Sequence, residues 1–466
     1  MRQHFDLLVI GSGPAGHHAA IQGSKLGKSV ALVERPKSIG GVCFNTGTVP
    51  SKALREAVLN ATHAQRPLGA KHSMGDLLGR CQEVVRKEVD VYRAHFARNG
   101  VELLEGTASF VDPHTLLIEQ DGRSFQASAD FILIACGTVP AKNDDFPVDG
   151  RRIIDADGIF SLPSIPKTMI VVGGGVIGLE YASMFARLRT RVTLLDGRNR
   201  LLEFVDGEIV EALTFFLRDA GVTPRLGEKV AFVEAKENEV VAHTESNKVL
   251  RADVALYAAG RQGATDTLNL AAAGLKADDR GRIRVDSEFR TEVAHIFAAG
   301  DVVGFPSLAS TSMEQGRVAA ACAFGAKAAS MPEVFPYGIY TIPEISFVGK
   351  TEEQLTQESV PYEVGLARYR EIARGNILGD PIGRLKLVFH RETTELLGVH
   401  IIGEGATELV HIGQAVIAHG GSVRYFVDHV FNYPTLAECY KVAALNGLNK
   451  LATQGATVET KRKKAA

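Results

Sequence analysis

Residues 5–16 read "FDLLVIGSGPAG", an apolar run that stops at a glycine turn. A helix is expected from about residue 14 to 26, and a second apolar run, "SVALVE", closes the unit at residues 29–34. Strand, glycine turn, helix and strand in this order make a dinucleotide-binding unit. Gly11 lets the chain turn tightly, Gly13 lets the backbone approach a pyrophosphate, and Gly16 lets the helix pack close to the strand. Glu34 ends the second strand, where a carboxylate can accept hydrogen bonds from an adenosine ribose.

The plan occurs twice. Residues 168–196 give the strand "TMIVVG", the turn "GGGVIG" with Gly173, Gly175 and Gly178, a helix to about residue 189, and the strand "RVTLLD". Asp196 follows Gly173 by the same twenty-three residues that separate Glu34 from Gly11. A lone glycine turn is weak evidence, but two with the same internal spacing and an acid at the same place predict two dinucleotide sites.

Composition narrows the rest. A chain of 466 residues with 45% hydrophobic content exceeds one core, and several domains are expected. A formal net charge of −2 supplies no field for nucleic acid or an anionic membrane, so neither is expected as a partner. With no leader ahead of the first motif and no long apolar span, the expected location is the cytoplasm. Cys43, Cys81, Cys136, Cys322 and Cys439 are scattered and form no Cys-x-x-Cys pair, so neither a disulfide framework nor a metal site is expected.

Between the two units lie a probable helix near residues 74–100 and the apolar strand "FILIACG" at 131–137. From about residue 335 the pattern changes to alternating strands and two late amphipathic helices, with a capping box at Thr351 and Gln354 in "KTEEQL". The expected class is α/β: two Rossmann-like domains and a C-terminal α+β domain. The boundaries are 1–160 and 286–335 for the first domain, 161–285 for the second, 336–452 for the third, and 453–466 for a basic flexible tail.

These residues resemble the FAD-dependent pyridine nucleotide–disulfide oxidoreductases, from about residue 5 to 452. The motifs "GGVCFNTGTVPSKAL", "IACGTVP", "GGGVIGLE", "AAGRQGATDTL", "IFAAGDV", "IPEISFVGKTE" and "FNYPTLAE" follow the family's order. The resemblance implies a glutathione reductase-like fold, FAD in the first unit, NAD(H) or NADP(H) in the second, and a homodimer made by the last domain, with larger assembly left open. It places Gly11, Gly13, Gly16 and Glu34 on FAD, with Arg35, Gly40, Gly41, Val42 and Cys43 along the cofactor and Gly137 and Asp301 also in contact. Arg261 joins the cofactor contacts. Lys52 is implied beside the reactive nitrogen of the flavin, with Glu180 as its ion-pair partner, where a cation favours reduced flavin.

Disulfide reductases of this family carry a second cysteine five positions after the first, and a His before the "PT" near the C-terminus. Here those positions are Thr48 and Tyr433, while Glu438, which would orient the His, remains. Threonine cannot form the bridge, and a tyrosine of pKa about 10 is a poor proton shuttle near neutrality. The resemblance is then closest to the soluble transhydrogenase branch, in which FAD mediates ping-pong hydride transfer from NADPH to NAD. Cys43 becomes a small packed hydrophobe, with a reactive thiol as the alternative.

Asp196 suits the free ribose of NAD, and Arg198 and Arg200 suit the 2′-phosphate of NADP. Their proximity reads as dual specificity, with the Asp196 carboxylate tilting the balance to NAD. The rival readings are an NAD(P)H dehydrogenase with a quinone or oxygen acceptor, a dihydrolipoyl dehydrogenase-like flavoprotein using one thiol, and a binding protein that signals through flavin redox state.

Overall fold

The computed structural model describes residues 3–63, 73–327 and 330–465. The chain divides into two compact units, Met1–Pro166 with Val233–Val240 and Val254–Met331, and Lys167–Phe232 with Val241–Asp253 and Pro332–Ala466.

The first unit is built on a seven-stranded sheet. Strand β1 (Gln3–Ile10) enters the glycine turn, α1 (Pro14–Lys25) leaves it, and β2 (Val30–Glu34) returns parallel to β1. Helices α2 (Gly41–Asn45), α3 (Thr48–His63) and α4 (Met74–Arg98) follow. Strand β3 (Glu102–Glu105) then extends the parallel layer beside β2. Strands β4 (Thr107–Asp112), β5 (Thr115–Gln120) and β6 (Arg123–Ile134) form an antiparallel meander, and β6 also pairs parallel with β1.

Burial on both faces explains why β1 reads as an unbroken apolar run. Leu7 and Val9 pack with Ala19 and Ala20 of α1 and with Val318 and Ala319 of the helix Ala309–Ala323. Leu8 and Ile10 pack on the opposite face with Phe110, Leu116 and Ile118 of the meander. The strand expected at 131–137 is the end of β6, whose earlier half, "RSFQASAD", is polar and partly exposed.

In the second unit, Thr168–Val172, Arg191–Asp196 and Val222–Leu226 form parallel pairs, with helices Val176–Arg187 and Gly207–Asp219 as connections. The chain ends in a five-stranded antiparallel sheet ordered Tyr337–Ile339, Ile345–Gly349, Leu396–Ile402, Arg384–His390, Tyr362–Arg368. Its core includes Leu387, Phe389, Val399, Ile401, Phe426 and Tyr440. The capping box forms as read: Thr351 Oγ1 accepts from Gln354 N at 3.3 Å and Gln354 Oε1 from Thr351 N at 2.9 Å.

The last helix, Glu438–Ala465, continues through the segment expected as a flexible tail. Lysine, arginine and alanine make up its last five residues and no proline interrupts it, so the helix runs on in spite of Gly455 and three threonines. No helix among the described residues is long and apolar enough to cross a membrane.

Candidate functional site

The two glycine turns are structural twins. Gly11 and Gly173 have φ of +99° and +107°, a region that favours glycine. A Cβ on Gly16 would lie 1.8 Å from the Gly11 oxygen, and one on Gly178 would lie 1.9 Å from the Gly173 oxygen. Helix and turn therefore touch through bare backbone. A Cβ on Gly13 or Gly175 would meet no protein atom within 4 Å, so these glycines are not required by packing. They leave an open backbone surface at a helix N-terminus, where aligned N–H groups favour an anion.

The first turn opens into a cleft of about 1070 Å³, lined by Gly11, Gly13, Glu34, Arg35, Gly41, Val42, Cys43, Gly137 and Asp301. That volume is at the upper end of the usual range of about 300–1,000 Å³ for small-molecule sites and suits an elongated dinucleotide. Gly16 and Gly40 support the cleft without lining it. Glu34 is buried, and its Oε2 accepts from both Ser12 N and Ser12 Oγ at 2.8 Å. Its Oε1 accepts from Arg35 N at 2.8 Å. Ser12 Oγ also accepts from Gly40 N at 2.9 Å, which joins the turn, the end of β2 and the start of α2. The glycine spacing alone does not single out Ser12. Its position inside the "GSG" turn beside an acid-ended strand was the available signal.

Cys43 lies on α2 at the cleft wall, and burial pushes its thiol up to about 11, with a hydrogen bond from the Thr48 side chain pulling part of the way back. The residue that replaces the second cysteine therefore meets the first. Lys52 is one turn along α3, with Nζ 3.3 Å from Ser51 Oγ. Burial raises the Asp301 carboxyl above its ordinary value, opposed by the Arg261 charge and a Ser312 hydrogen bond. Arg261 is committed to Thr138, donating to its Oγ1 at 2.9 Å and its carbonyl at 2.8 Å. Gln315 Oε1 accepts from Gly300 N at 2.8 Å and fixes the turn ahead of Asp301, a support the motif alone did not reveal.

In the second unit Asp196 is buried and bound by the neighbouring arginine: Arg198 Nε donates to Oδ1 at 3.0 Å and a terminal guanidinium nitrogen to Oδ2 at 2.7 Å. Burial alone would raise this carboxyl, but the Arg198 hydrogen bonds and the Gly174 N–H hold it below its ordinary value. Arg200 is not brought to the carboxylate. It donates to the Val205 carbonyl at 3.0 Å and to Glu353 at 3.1 Å, and so braces the loop. Glu180 is buried on the helix after the turn and accepts from Tyr340 N at 2.9 Å.

Tyr433 is 72% exposed, whereas Glu438 Oε2, five residues on, is buried with no hydrogen-bond partner among the described residues. A carboxylate oxygen in that state is costly and marks a position where a further group is expected.

Residues 5–316 match the model of the pyridine nucleotide-disulphide oxidoreductase family, and residues 335–444 match the family's dimerisation domain. The chain belongs to this family. Among curated relatives, a soluble pyridine nucleotide transhydrogenase of Mycobacterium bovis is 54% identical over 459 residues, covering 96% of this chain and 98% of the relative. One of Colwellia psychrerythraea with the same name is 46% identical at the same coverage. Among solved structures, the copper(II) complex of the HOCl-induced flavoprotein disulfide reductase RclA of Escherichia coli aligns with a TM-score of 0.88 at 27% identity, covering 95% of this chain and 99% of that one.

Proposed function

We propose that this family member is a transhydrogenase that moves hydride from NADPH to NAD through FAD without a redox-active disulfide. One observation carries the reading: Thr48 sits on Cys43 where a second thiol would be needed, while both dinucleotide cradles are intact. The names of its relatives agree. When bound, FAD accepts hydride from one nicotinamide and yields it to another.

The residues of the chain would bind and orient. In this reading Gly11 and Gly13 present the N-terminus of α1 to the FAD pyrophosphate, Glu34 holds the adenosine ribose, and Arg35 through Cys43 line the cofactor. Asp301, Gly137 and Arg261 shape the cleft further along. Lys52 supplies positive charge where negative charge develops. Gly173, Gly175 and Gly178 hold the nicotinamide nucleotide, and Asp196 and Arg198 face its adenosine ribose. One nucleotide leaves before the other enters, so a single pocket serves both. The functional division is FAD domain 1–160 and 286–335, NAD(P) domain 161–285, and dimerisation domain 336–452, in a cytoplasmic homodimer.

The test is steady-state turnover of the FAD-loaded protein with NADPH as donor and, in separate assays, a thionicotinamide analogue of NAD, a quinone and lipoamide as acceptors. Preference for the nicotinamide analogue with parallel double-reciprocal lines supports the reading. Faster turnover with quinone or lipoamide contradicts it.

A further inference from the structure

Glu34 and Asp196 occupy the same place in twin folds, but their lone pairs are used differently. A carboxylate offers about four acceptor positions. On Glu34, Oε2 accepts twice, from the two donors of Ser12, and Oε1 accepts once, from Arg35 N, so one position remains. On Asp196, Oδ2 accepts from Gly174 N at 2.6 Å and the Arg198 guanidinium at 2.7 Å. Its Oδ1 accepts from Arg198 N at 2.8 Å and Nε at 3.0 Å. Asp196 is full, and a ribose hydroxyl finds no lone pair there until the Arg198 side chain moves.

The surroundings allow only that movement. The Asp196 side chain is 6% exposed, against 44% for Arg198. The Arg198 carbonyl is fixed by Gly227 N at 2.9 Å, and Arg200 is engaged with Val205 and Glu353. A swinging guanidinium on a fixed backbone remains.

We propose that Arg198 is a latch on Asp196, which either nicotinamide nucleotide must open; the proposal rests on the reading of this cradle as the nicotinamide nucleotide site. For NAD(H), the ribose diol takes the acceptor positions that Arg198 vacates. For NADP(H), the guanidinium passes from the carboxylate to the 2′-phosphate, a bidentate exchange of one anion for another. Opening the latch is a cost common to both nucleotides, so it cancels in the difference between them, and the discrimination that remains comes from what each ligand puts in place of the Asp196–Arg198 pair. The same cost weakens the hold on each, which suits a pocket that must release one nucleotide before taking the next.

The latch differs from two independent contacts in one measurable way: Arg198 opposes NAD. Equilibrium titration of the FAD-loaded protein with NAD and NADP, the oxidised forms that leave the flavin unchanged, reads it directly. Arg198→Ala should tighten NAD severalfold and weaken NADP about tenfold or more. Adding Arg198→Ala to Asp196→Asn should no longer tighten NAD, because the blocked acceptor is gone. Unchanged NAD affinity in Arg198→Ala with weakened NADP overturns the latch and leaves the nicotinamide site standing. Weakening of both nucleotides overturns it as well, making Arg198 a structural brace. Failure of the unmodified protein to bind either nucleotide overturns the site assignment itself.

Discussion

Ser12 and Glu34 are joined twice, backbone N–H and hydroxyl both donating to the same carboxylate oxygen at 2.8 Å. With Gly40 N donating to Ser12 Oγ, one hydroxyl ties the Glu34 carboxylate to both the glycine turn and the entrance of α2. Ser12→Ala removes a charge-assisted hydrogen bond and leaves Gly40 N without its acceptor, costing about 1–3 kcal/mol. FAD affinity of the apoprotein, followed by flavin fluorescence, should fall about tenfold or more. Unchanged affinity would mean that the backbone alone sets the turn.

Cys43 is buried and its thiol is pushed up to about 11, so at pH 8 it carries little thiolate. Alkylation by iodoacetamide should be about a hundredfold slower at Cys43 in the native protein than in the unfolded chain, read by peptide mass spectrometry. Cys43→Ser should keep more than about half of the hydride transfer, since a packing change of this size is modest. Rapid labelling with loss of activity would restore the reactive-thiol alternative.

Lys386 is fully buried in the second unit, with Nζ 2.8 Å from Asp206 Oδ1, 3.4 Å from Glu208 and in contact with Glu352. Asp206 caps the helix Gly207–Asp219, so this ammonium anchors the start of that helix. Lys386→Met leaves the buried Asp206 carboxylate uncompensated, at about 3–5 kcal/mol. The thermal midpoint should drop by several degrees and should recover in part with Asp206→Leu added. A neutral single substitution would show that water replaces the ammonium.

His17 is buried, stacked on Tyr92 at 3.8 Å between ring centres, and hydrogen-bonded through its two ring nitrogens to His18 at 3.3 Å and His95 at 3.2 Å. Burial, followed by the charges of His18 and His95, lowers its pKa to about 3. The unfolded chain takes up a proton near pH 6.5 while the native protein does not, so this contribution is complete above about pH 6.5 and is lost as the pH falls toward 3. The slope is at most about 1.4 kcal/mol per pH unit. Thermal midpoints between pH 7 and 5 should decline more steeply in the unmodified protein than in His17→Phe. Equal slopes would place the sensitivity elsewhere.

The backbone chemistry of the site was legible because it is local. A glycine turn, a helix start and a carboxylate twenty-three residues on are imposed by one connected stretch, and Gly11 to Glu34 and Gly173 to Asp196 could be read without tertiary knowledge. What failed was distant or permissive. The partner of Arg200 is Glu353, far along the chain, and no spacing rule joins them. The polar half of β6 carries no alternation strong enough to show that its strand begins at Arg123. The Asp196–Arg198 pair, only two residues apart, was within reach. Spacing shows the two residues as separate contacts, because a sequence does not show which lone pairs are already used.

Hydride exchange between two nicotinamides is visible in a single turnover by absorbance. The FAD-loaded protein is mixed with NADPH under nitrogen and then with the thionicotinamide analogue of NAD. Flavin colour should be lost and then return as the analogue is reduced. Flavin that NADPH leaves oxidised, or reduced flavin that does not pass its hydride to the analogue, would contradict it.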